Sequence, residues 1–133
     1  MNLIAKRRYM KKLTSIIVTA LMVVSGVALI SSCNKTGDYW FMIGMEYNTK
    51  YPEKLSQYDK IFQEYYDLKD SELKFADISE REATEAATAI FDNMLIEMDQ
   101  VQVSWDKGEY YKVTLVMDYP KLKFVKDKIY PIQ

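Results

Sequence analysis

The spacing of hydrophobic positions changes several times along this chain, and each change marks an element. Residues 13–30 carry no charge and have no period. From residue 39 the pattern alternates: Tyr39, Phe41, Ile43, Met45 and Tyr47 share one face, while Trp40, Met42, Gly44 and Glu46 share the other. That is a strand over 39–47, and large apolar side chains on both faces place it inside a sheet rather than at its edge. From Pro52 to about Leu68 the spacing lengthens to three and four, through Leu55, Tyr58, Ile61, Phe62, Tyr65 and Leu68, which predicts an amphipathic helix with Pro52 in its first turn. Residues 69–72, KDSE, read as a break.

A second helix is announced from its first residue. Ser79 followed by Glu82 fits a capping box, Asp77, Glu80 and Glu82 suit the positive end of the helix dipole, and Ala83, Ala86, Ala87, Ile90, Phe91, Met94, Leu95 and Met98 form the stripe. It should run from about Glu80 to Asp99. Val101, Val103 and Trp105 then alternate with polar residues, DKGE at 106–109 is a turn with Gly108 at positive φ, and YYKVTLVMDY puts Tyr111, Val113, Leu115, Met117 and Tyr119 on one apolar face. Pro120 stops that strand, and KLKFVKDKIYPI reads as a weaker last strand whose lysines protect an edge. The expected fold is α+β in the order β-α-α-β-β(-β). It is a two-layer sandwich with a mainly antiparallel sheet of three or four strands and two helices on one face, forming a single domain over 39–133 after an N-terminal signal helix.

Charge changes this picture at the N-terminus. Lys6, Arg7, Arg8, Lys11 and Lys12 precede the charge-free run, and residues 1–32 hold no acidic residue; the remaining 101 residues carry 13 Lys and Arg against 19 Asp and Glu, a net −6. A negative mature chain does not suit a general nucleic-acid binder, which needs positive charge to displace counterions from phosphates. With no histidine and a single cysteine, a zinc site of the usual Cys and His kind and a histidine-based hydrolytic triad are both excluded. That cysteine has no partner within the chain for a disulfide.

A basic segment, an apolar middle and small residues next to Cys33 have the layout of a secretory signal peptide over 1–32. The competing reading is an uncleaved membrane helix with an incidental thiol, for which 18 uncharged residues lie near the short limit of roughly 17–25. The flank favours the first. Ile30-Ser31-Ser32-Cys33 resembles the lipobox of bacterial lipoproteins, including small envelope lipoproteins of the Bacteroidetes type. The resemblance covers residues 1 to about 34 and assigns no family to the domain. It implies cleavage between Ser32 and Cys33 by signal peptidase II, a diacylglycerol on the Cys33 thiol and an acyl chain on the new amino terminus. Residues 33–38 become a short lipidated tether. By the same resemblance, Asn34 in place of Asp favours the outer over the inner membrane, and the lack of an acidic run after Cys33 points to the periplasmic side.

No cofactor is expected beyond that lipid. The sequence holds no glycine-rich phosphate loop, and EREATE at 80–85 is explained by helix capping and a solvated face rather than a metal. Tyrosine is in excess, with 11 in the chain. Most fall on the inferred core faces; Trp40, Met42, Tyr66, Tyr110 and Tyr130 remain as a candidate binding face. Two functions follow as expectations. One is a noncatalytic lipoprotein that binds an envelope protein or glycan. The other is a cell-wall or glycan hydrolase using a carboxylate pair such as Glu46 and Asp118, or an inhibitor of such an enzyme.

Overall fold

The computed structural model describes residues 35–132; the expected signal segment, with Ser32 and Cys33, lies outside the described residues. Four strands and two helices make up the domain: β1 (Thr36–Asn48), α1 (Ser56–Tyr66), β2 (Lys74–Ser79), α2 (Glu80–Met98), β3 (Tyr110–Tyr119) and β4 (Lys123–Tyr130). Single 3-10 turns, Pro52–Leu55 and Asp67–Asp70, flank α1. The class is α+β, with one antiparallel sheet in the order β2-β1-β3-β4. The strand over 39–47 is central, as its two-sided apolarity requires, and the lysine-bearing last strand is an edge.

The element order is β-α-β-α-β-β, which corrects the expected β-α-α-β-β(-β). The unforeseen strand is β2. Its pairing with β1 runs Gly37↔Ile78, then Tyr39↔Phe75, so Asp38 faces two residues, Ala76 and Asp77. This bulge, with Asp77 at φ 57° and its amide donating to Asp38 Oδ1 (3.3 Å), puts Phe75 and Ile78 three positions apart on the core side. Three is a helical interval, so the alternation that marks a strand is hidden.

The expected strand at 101–105 is the converse case. Val101, Val103 and Trp105 do pack against the core, but the segment has no ladder, because β3 is already bonded to β1 on one side and β4 on the other. Alternation reported burial correctly and pairing wrongly. The turn after it forms as expected, with Glu109 N–H donating to the Asp106 carbonyl (3.1 Å) and Gly108 at φ 86°.

The core lies between the sheet and the helices. From β1 come Phe41 and Ile43, from β3 Tyr111, Val113, Leu115 and Met117, and from α2 Ala83, Ala87, Phe91, Met94 and Met98, all fully buried or nearly so. α2 starts where its cap dictates: the Ser79 Oγ accepts from the Glu82 amide (3.1 Å) and donates to the Glu82 carboxylate (3.1 Å). Buried phenols keep polar partners. The Tyr111 hydroxyl donates to Asp59 (2.8 Å) and the Tyr130 hydroxyl to Asp99 (2.6 Å), while the Tyr58 ring stacks on Tyr111 at 5.0 Å and lies tilted against Tyr130 at 5.2 Å. Burial away from water raises both donor phenols well above the usual tyrosine range, so they remain neutral donors.

The β4 edge is tied to α2 by side chains rather than left open. Lys126 reaches Asp92 (2.6 Å), Lys128 approaches Asp99 (3.8 Å) and Lys123 reaches Glu80, all from the helix side of the strand. Lys123 holds the Glu80 carboxyl below its usual range.

Candidate functional site

With both helices on one side, no described element covers the other side of the sheet, and its composition is uneven from end to end. Across the strands, one row holds Lys74, Trp40 and Tyr119, and the next holds Met42, Val116 and Phe124. Further along come Gly44, Thr114 and Asp127, then Glu46, Lys112 and Ile129. The half nearest Thr36 is apolar and aromatic. Its far half is polar, with Lys112 paired to Asp127 (3.7 Å) and the Tyr110 hydroxyl donating to Glu46 (2.9 Å), a bond that raises the Tyr110 pKa.

Two bulges build the apolar half. Trp40 pairs with Tyr119 and Phe41 with Met117, so Asp118 is the extra residue, and Tyr119 turns from the core side to the open side. Leu115 pairs with Lys126 and Val116 with Phe124, so Val125 is extra, and Phe124 turns the same way. Tyr119, expected in the core, is therefore 45% exposed beside Trp40, with ring centroids 4.6 Å apart. Phe124 is 60% exposed, and Leu122 in the β3–β4 turn 76%. The Lys74 ammonium lies 4.5 Å over the Trp40 ring, on the flank away from Tyr119.

Of the five residues proposed from sequence, three share this surface: Trp40 and Met42 in the apolar half, and Tyr110 at the polar end. Tyr66 sits in α1, on the opposite layer, with Phe62 at 5.5 Å and Lys69 4.9 Å over its ring. Tyr130 is a correction. It is 3% exposed and belongs to the core, because Tyr111↔Tyr130 pairing fixes its side chain on the helix face. Tyr119 is the surface residue that strict alternation puts in the core, while Phe124 and Leu122 are given no face by the pattern; the bulges that turn Tyr119 and Phe124 outward leave no mark in the periodicity.

The carboxylate pair imagined for hydrolysis does not assemble. Glu46 is registered with Lys112, whereas Asp118 is the bulge residue next to Trp40, about six positions or roughly 20 Å away along β1. Among the described residues no group of three or more Cys, His, Asp or Glu is placed to hold a metal ion. None of their helices is long and apolar enough to cross a membrane.

A polar cleft of about 350 Å³ lies at the far end of the sheet, lined by Asn48, Thr49, Lys50, Tyr51, Asp106, Lys107 and Glu109. Asn48, Thr49, Asp106 and Glu109 are engaged with their neighbours. Glu109 accepts from Lys54 (2.7 Å), Thr49 (2.6 Å) and the Asp106 amide (2.9 Å), and Asn48 donates to the Gly108 carbonyl (3.0 Å). The cleft is a clasp between two loops. These donors, Lys54 first, pull the Glu109 pKa from 4.5 to about 2. A depressed carboxylate contributes stability that is whole above pH 4.5 and is lost as pH falls through about 2. Thermal melts over that range should therefore show a flatter acid dependence for Glu109→Gln than for the parent, together with a lower neutral Tm. Parallel curves would remove Glu109 from the clasp.

Compared with family models, curated proteins and solved structures, the chain matches none of them, so its role has to be read from its own residues.

Proposed function

We propose that this chain is a bacterial envelope lipoprotein, anchored by lipid on Cys33 and acting by contact rather than by catalysis. The observation that carries the reading is Ile30-Ser31-Ser32-Cys33, placed where a basic and then charge-free segment ends. Several acyl chains on one residue hold a protein firmly at a bilayer, where a single chain binds marginally. Asn34 after the cysteine favours the outer membrane.

The fold supports a contact role. β1 begins three residues after Cys33, shorter than the tether of 33–38 expected from the sequence, so an anchored domain is held close against its membrane. The sheet face away from the helices, with Trp40, Met42, Tyr119 and Phe124, is the surface available for that contact. Cells fed labelled palmitate test the reading: label in the chain is expected, and an unlabelled chain in a processing-competent host overturns it.

A further inference from the structure

The open face is mostly apolar at one end and, Ile129 aside, polar at the other, and the apolar end is the one where β1 begins, three residues after Cys33. We propose that the Thr36 end of this face rests on the lipid bilayer itself, with Trp40, Tyr119, Leu122 and Phe124 forming a second, noncovalent membrane contact. The inference rests on the lipid-anchor reading and names the occupant of the face.

Reach comes first. From Cys33 to Thr36 is three peptide steps, which span at most about 11 Å when extended. β1 starts at the same end of the sheet as the β3–β4 turn, because Trp40 pairs with Tyr119, the last residue of β3. A lipid on Cys33 would keep this end of the sheet within reach of the bilayer, since Trp40 and Tyr119 lie only four strand residues, about 13 Å, beyond Thr36.

Chemistry follows. Trp and Tyr prefer the headgroup layer, where an apolar ring and a polar N–H or O–H are both satisfied, and lysines next to them extend their ammonium groups toward phosphate. This end of the face supplies Trp40 and Tyr119 in contact, Lys74 over the indole, and Lys121 next to Leu122, while Lys123 turns to the helix side and holds Glu80. Asp38 and Asp118 lie at the same end; Asp38 is occupied by the Asp77 amide. Charge there is mixed, so the contact is driven by apolar burial and requires no anionic lipid. The polar rows through Glu46, Lys112 and Asp127 lie at the far end, which keeps them in water.

The chain has two tryptophans, and they give the test. Trp105 is half-buried against Tyr58, with centroids 6.0 Å apart, in the segment leading to the far-end clasp. The full lipidated chain is purified and reconstituted into phosphatidylcholine vesicles with or without bromine on the acyl chains. In Trp105→Phe, emission from Trp40 should fall by about half or more in brominated vesicles, as expected of an indole at the interface. In Trp40→Phe, emission from Trp105 should be unchanged. Adding Leu122→Glu and Phe124→Glu to Trp105→Phe, at exposed positions, should restore Trp40 emission while flotation with the vesicles persists. Protein that floats with unquenched Trp40 overturns this inference and leaves the anchor standing; chain-to-chain crosslinking in Phe124→Cys would then assign the face to a second copy. Protein that neither floats nor carries palmitate overturns the anchor.

Discussion

Cys33→Ser should leave the chain as an unlabelled precursor that keeps residues 1–32. The substitution is nearly isosteric and retains a small polar residue after Ser31-Ser32, so any protease that reads only small residues would still cut. Lipid transfer is different. It needs a thiolate-forming sulfur to make a thioether, and a serine hydroxyl, whose proton is far less acidic, does not substitute for it. Since processing by signal peptidase II follows lipidation in proteins with a lipobox, one oxygen-for-sulfur change should stop both steps. Palmitate incorporation should drop to background and the band should shift to the larger precursor. A labelled, shortened Cys33→Ser chain would mean that some other residue is modified.

Phe91→Ala is the second large effect, and it acts on the domain alone. Phe91 is completely buried at the centre of the α2 stripe. Truncating such a residue removes its transfer free energy and leaves a cavity, costing about 3–5 kcal/mol. Small domains hold only about 5–15 kcal/mol in all, so much of the stability goes, and Tm should fall by more than ~10 °C. Phe124→Ala is the matched comparison. At 60% exposure its side chain has little to lose on truncation, and the change should stay within about 0.5 kcal/mol. Denaturation midpoints for the two variants separate the core side of the sheet from the open side. Equal losses would mean that Phe124 is packed in solution.

Those two phenylalanines also show what the sequence could reveal. α2 was legible to within a residue, because a capping serine, an acidic first turn and a stripe at three and four all act locally. β1 was legible for a similar reason, since alternation follows from the pleat alone. Its central position could be inferred because Trp40 and Met42 on its second face need neighbours. What failed were features that depend on pairing. β2 was hidden by the bulge at Asp77, and residues 101–105 were credited with a ladder that β3 had no free edge to supply.

The surface suffered in the same way. Counting by twos assigns Tyr119 to the core, and only the extra residue Asp118 turns it outward. Phe124 depends likewise on Val125. Tyr130 went the other way, from candidate surface to buried partner of Asp99, because its register with Tyr111 was invisible in a lysine-rich edge strand. Bulges are set by how two strands meet, so neither strand's own periodicity records them.

The mass of the amino-terminal peptide from protein extracted out of membranes decides most directly whether Cys33 carries the anchor. The mature chain should begin at Cys33, with a diacylglycerol thioether on its sulfur and an acyl group on its nitrogen. A chain that still carries residues before Cys33, or begins there with a free thiol, would contradict it.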